Sequence, residues 1–221
     1  MSDYHADRDS QPEGRLNVAE NANAALRTGV RLEVFTVAWM FAEAVLAIGA
    51  GVGARSVLLT GFGFDSVIEL LSGVTLLWRL SSEARGLSAP NLESVERRAT
   101  RISAVLLVLL CAYLLFFGLG GLVLGQRPEA SVLGVAVAAA AVVVMPILAW
   151  RKVRANLAIG SAALRADIAE TITCAYMAAA TLAGAGLNLL FGWWWAEYLG
   201  ALALLIFVAM ETKEAIEAAR E

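Results

Sequence analysis

Residues 102–124 read ISAVLLVLLCAYLLFFGLGGLVL, a run without one charged side chain. A helix of about 20 apolar residues covers the roughly 30 Å of hydrocarbon in a bilayer. Comparable runs fall at about 32–53, 57–79, 131–150, 162–190 and 194–210. The fifth is long and mixed, so its ends are the least sharply marked. The composition agrees, with 59% hydrophobic residues in 221 and a mean hydropathy of +0.69. Soluble domains are nearer about 45–50% apolar. The sequence therefore predicts an all-α membrane protein with six transmembrane helices. A membrane domain over 30–211 follows a polar tail, 1–29, and precedes a short tail, 212–221. The first tail lacks the apolar centre of a signal peptide and reads as mobile or weakly helical.

Basic residues orient the spans. Arg8, Arg15, Arg27 and Arg31 precede span 1, and Arg79, Arg85, Arg97, Arg98 and Arg101 follow span 2. Arg151, Lys152, Arg154 and Arg165 separate spans 4 and 5, and Lys213 and Arg220 close the chain. The opposite face holds only Arg55 and Arg127. Cytoplasmic loops carry the excess of Lys and Arg, so both termini are expected in the cytoplasm, which requires an even number of spans. The stretch Ser81–Arg101 reads as the one longer polar connection, while Arg127-Pro128-Glu129 and Gly192-Trp193 read as tight turns. Trp193, Trp194 and Trp195 fit an aromatic belt at the outer boundary. The cell (inner) membrane is the expected location. A net charge of −3 gives no reason to expect a nucleic-acid partner. Cys111 and Cys174 lie inside apolar runs, where a structural disulfide is not expected.

Several acids interrupt the spans. Glu43 lies near the middle of span 1, Asp65 and Glu69 near the middle of span 2, and Asp167 and Glu170 in the inner half of span 5. Charges at this depth are costly and are functional candidates by default. No Lys, Arg or His lies near the centre of a span, so neutralisation by a side-chain cation is not expected. Asp65 and Glu69 are four residues apart and share a helical face, as do Glu170 and Cys174, with Asp167 three residues before Glu170. Spans 2 and 5 run antiparallel, which lets the two pairs meet at one depth. Three carboxylates and a thiolate suit a tetrahedral divalent transition metal. An empty site of this kind takes protons and exchanges them for a cation. Asp167, one turn nearer the cytoplasm, reads as a waypoint for the incoming ion or a support to the ligands. Glu43 is either a further member of the group or a hydrogen-bond partner between helices. Cys174 and Cys111 also have the plainer reading of small buried hydrophobes.

At these residues the chain resembles the transmembrane domain of the cation diffusion facilitators. Span 2 reads SVLLTGFGFDSVIE over 56–69, and span 5 reads SAALRADIAETITC over 161–174. In that family, spans 2 and 5 each carry a His/Asp-x-x-x-Asp pair, and Ala-Leu-x-Ala-Asp-x-x-ligand is a typical lead-in to span 5. GWWWAEY over 192–198 is similar to the start of span 6, where Asp-Pro is more usual. The resemblance covers roughly 32–215 and looks like a small bacterial branch. Carried over by position, it implies a transported-metal site of Asp65, Glu69, Glu170 and Cys174. Both usual second-position aspartates are replaced, one by Glu69 and one by Cys174, and the single histidine, His5, lies in the tail. The sequence ends about ten residues after span 6, so the family's C-terminal cytoplasmic domain is not expected. A homodimer would then rest on membrane helices.

The resemblance implies a secondary transporter, not an enzyme, exporting a divalent metal in exchange for protons by alternating access. Zinc, iron(II), manganese, cobalt and cadmium are the candidate cargoes, with no permanently bound cofactor. Cys174 favours the softer ions and the carboxylates favour manganese or iron. Gly49, Gly51, Gly53, Gly61 and Gly63 would let helices approach closely. Two rival classes remain: a non-transporting membrane subunit that uses the acids for packing, and an intramembrane hydrolase. The second lacks the Gly-x-Gly-Asp motif, because Phe64 separates Gly63 from Asp65. Glu211, Glu214, Glu217 and Glu221 are expected on a short solvated helix leaving the membrane.

Overall fold

The computed structural model describes residues 12–84 and 92–220. These form six helices: α1 (Pro12–Ala54), α2 (Val57–Ala84), α3 (Leu92–Val123), α4 (Val132–Ile159), α5 (Ala162–Phe191) and α6 (Trp194–Arg220). Five contain stretches long and apolar enough to cross a membrane: Arg27–Ala54, Val57–Ser82, Arg97–Val123, Val132–Ile159 and Ala163–Phe191. The chain is thus a multi-pass helical membrane protein. The sixth helix differs: Glu197 and Glu211 bracket its apolar run, Leu199–Met210, which is shorter than the about 20 residues of a typical span.

The helices reach beyond the expected spans. Part of the stretch expected to be tail, from Pro12 onward, belongs to α1, and α3 takes up Leu92–Arg101 of the expected polar connection. Residues 1–11 with His5, 85–91 with Pro90 and Asn91, and Glu221 lie outside the described residues. Large apolar side chains such as Phe116, Val123 and Leu157 point outward and are 73%, 82% and 83% exposed. A surface of that kind suits lipid.

The turns follow from local chemistry. Ser131 and Ser161 cap α4 and α5, accepting the N–H of Gly134 and Leu164. Gly160 and Gly192 close α4 and α5 in the left-handed region, at φ 70° and 67°, which glycine adopts without steric cost. The expected turn at Gly192-Trp193 is present. α1 packs most closely on α2, and a Cβ on Gly51 would sit 2.4 Å from Thr60 Oγ1, so a larger residue would force the two helices apart. By contrast, Gly49 and Gly53 face open space. Further packing joins α4 to α5 and α1, α6 to α3 and α5, and α2 to α3, α5 and α6. The apolar centre includes Leu58, Leu59, Phe62, Leu114, Met177 and Leu204.

Candidate functional site

The arrangement follows from α2 and α5 lying side by side in opposite directions. Asp65, Glu69 and Cys174 are buried, at 1%, 5% and 0% exposure, while Glu170 is half-buried and lines a cavity. All four carboxylate oxygens of Asp65 and Glu69 are without a hydrogen-bond partner among the described residues. Cys174 adjoins Glu69, and its Sγ lies 4.0 Å from Glu43 Oε1. The charges of Glu43 and Glu170 both act on Asp65. Glu69 of α2 thus adjoins Cys174 of α5 and shares a cavity wall with Glu170. Among the described residues, no three His, Cys, Asp or Glu side chains stand together at metal-ligating spacing. The arrangement is a cluster of acids and a thiol, not a closed coordination shell. Like charges gathered in a low-dielectric interior cannot all stay ionised, so such a group takes up either protons or a cation.

Glu43 has a different environment. Trp39 Nε1 donates to Glu43 Oε2 at 2.5 Å, and Ser66 Oγ donates to Glu43 Oε1 at 2.9 Å. Ser66 directly follows Asp65, so Glu43 ties α1 to the backbone segment that carries the unpartnered acid. Both sequence readings have a contact: the link to Ser66 joins two helices, and Cys174 Sγ lies 4.0 Å away.

Asp167 is where expectation and structure part. Lys152 Nζ donates to Asp167 Oδ2 at 2.6 Å and lies 3.2 Å from Glu33 Oε2, with all three residues buried. Thr171 Oγ1 is 3.3 Å from the same ammonium. A side-chain cation does therefore neutralise buried acids, contrary to the sequence expectation. The physical reason is that α4 continues to Ile159, so Lys152 lies on its inward face instead of in a loop. Lys152 and Asp167 stand eight residues before and seven after Gly160, so the α4–α5 hairpin brings them abreast. That symmetry about a glycine turn was a readable signal. Glu33, near the start of the first span, gave none.

A second missed network sits at the other end of the bundle. Glu197 is buried and accepts hydrogen bonds from Ser56 Oγ and from Asn188 Nδ2, the latter at 2.6 Å. Asn188 also donates to the Pro128 carbonyl at 3.2 Å, and Ser56 accepts from Leu59 N–H at the start of α2. Asn188 and Glu197 again flank a glycine turn, at Gly192. Three connections are thus joined, and Tyr198 adds a bond to the Gln126 carbonyl at 3.1 Å. Trp193 and Trp195 stack nearby and are 45% and 41% exposed.

Glu211 also departs from expectation. Instead of standing on a solvated face, it has a buried, unpartnered Oε1 and lines a cavity with Glu69 and Glu170. The cause is that α6 stays packed against the bundle beyond Met210. No family model matches the chain, and no curated protein is significantly similar to it.

Proposed function

We propose that the chain is a divalent transition-metal transporter that exports its cargo from the cytoplasm across the cell membrane in exchange for protons. In this reading α6 is the sixth span, both termini are cytoplasmic, and the chain works without a permanently bound cofactor. The observation that carries it is the pair Asp65 and Glu69, buried, unpartnered and adjoining Cys174 beside a cavity lined by Glu170. Desolvated acids without a protein partner are an expensive feature to keep for packing alone. The resemblance to the cation diffusion facilitators supports the same four residues as the carriers of the ion. Asp65, Glu69 and Glu170 would supply carboxylate oxygens and Cys174 a thiolate. Zinc, iron(II), cobalt, cadmium and manganese fit that donor set. A cation binding there displaces protons, because carboxylate and thiolate ligands must be deprotonated. Return of protons would then release the cation on the other side, and alternating access converts that exchange into transport. A homodimer through membrane helices is the proposed assembly.

Reconstitution in liposomes tests the reading directly. Uptake of each of the five metals is followed under an imposed proton gradient, with Asp65→Ala and Glu170→Ala beside the wild type. The expected outcome is saturable, proton-dependent flux of at least one metal, lost in both variants. Flux that survives in Asp65→Ala refutes the site. Absence of flux for all five, with the protein folded, favours a membrane subunit whose acids only pack helices.

A further inference from the structure

A cavity of about 320 Å³ opens beside the cluster, between α2, α3, α5 and α6. Its wall carries Glu69, Glu170, Glu211 and Glu214, together with Thr100 and Ser103, and no basic residue among the described residues. Glu69 is 95% buried by its 5% exposure, yet it reaches this cavity with neither oxygen hydrogen-bonded among the described residues. Ser103 Oγ and Glu211 Oε1 are likewise buried and unpartnered there. Glu69, Ser103 and Glu211 thus present buried oxygens that receive no hydrogen bond from the described residues. Glu211 shares this cavity wall with Glu69 and Glu170, although it comes from a third helix.

The position of the cavity adds direction. It runs from the middle of α2 to the later turns of α6 and the earlier turns of α3 and α5, toward the end expected to face the cytoplasm. Asp167, one turn before Glu170, is held by Lys152, which also reaches Glu33 of α1. Asp167 is already paired with the Lys152 ammonium, whereas Glu211 Oε1 has no hydrogen-bond partner among the described residues. Carboxylate, hydroxyl and water oxygens suit a partly hydrated divalent cation.

We propose that this cavity is a cation-binding vestibule, in which Glu211 of α6 receives a hydrated divalent cation and passes it to Glu69 and Asp65. The vestibule rests on the transport reading above and replaces Asp167 with Glu211 on the inward route.

Manganese(II) binding to the purified full chain tests this, measured as loss of the free-ion electron paramagnetic resonance signal. Wild type is compared with Glu211→Gln, Glu211→Asp, Glu170→Gln and Asp65→Asn. Removing one charged contact should weaken binding roughly tenfold in Glu211→Gln, with Glu211→Asp close to wild type. Unchanged binding in Glu211→Gln, with loss in Asp65→Asn, overturns the vestibule and leaves the transport site standing. Weakened binding in Glu211→Gln, with Asp65→Asn unaffected, upholds the vestibule and removes the transport site as assigned. Failure of the wild type to bind manganese overturns both. A second measurement does not depend on the folding of a Glu211 variant. In a Cys111→Ala background, the thiol introduced by Ser103→Cys should react with a water-soluble maleimide, and manganese(II) should slow that reaction. A rate indifferent to manganese overturns the proposal.

Discussion

Two groups of buried acids sit a few turns apart and are treated in opposite ways. Glu33 and Asp167 are joined by Lys152, whose side chain is fully buried between α1, α4 and α5. Asp65 and Glu69, between α2 and α5, receive neither a cation nor a hydrogen bond from the described residues. The residue types are the same, so the difference lies in whether the fold supplies the neutralising charge. Where it does, the acids fasten three helices. Where it does not, the acids stand without a partner among the described residues. A buried acid in a membrane sequence is therefore ambiguous until its neighbours are known, and Glu197 shows a third treatment, satisfied by neutral donors from Ser56 and Asn188.

The sharpest break of this contrast is Lys152→Met. It leaves two desolvated carboxylates facing each other and should cost about 3–5 kcal/mol, the usual penalty for removing one partner of a buried ion pair. Thermal or denaturant unfolding in detergent measures it. Adding Glu33→Gln and Asp167→Asn to Lys152→Met removes the uncompensated charges and should recover most of the loss. If the triple variant is no better than the single one, the packing of the lysine stem matters more than its charge. A smaller loss is expected from Glu197→Ala, which strips two donors of their acceptor and should cost about 1–3 kcal/mol. Its effect should add to that of Lys152→Met, because the two networks lie at opposite ends of the bundle and share no residue.

The helical membrane class was legible because apolar runs such as 102–124 report directly on the solvent they face. The approach of Glu69 to Cys174 and Glu170 was legible because spacing of four along a helix fixes a common face, and α2 and α5 pack together. Lys152 was hidden by a boundary. Read as the end of a span at Trp150, it became a loop residue, yet the helix continues and turns it inward. Glu211 was hidden in the same way at the end of α6. Apolar composition marks where lipid stops, not where helix or packing stops, and both missed residues lie in that interval. Asn188 was hidden for another reason: its amide satisfies Glu197 and a carbonyl across the bundle, a relation that local sequence does not encode.

The smallest expected stability change is the most discriminating. Asp65→Asn and Glu69→Gln keep side-chain size and remove a buried charge that no protein group balances. Taking that charge away relieves desolvation and repulsion, so the melting temperature should stay the same or rise by a few degrees, an effect of about 1 kcal/mol or less. Metal flux should nevertheless fall to background. If instead these variants lose as much stability as Lys152→Met, the acids serve the fold, and the reading as a membrane subunit with packing acids gains over the transporter. The contrast between the two acid groups would then be one of degree. Stability kept and transport lost together would separate them in kind, because only groups whose partner is absent from the resting fold can be neutralised without loosening it.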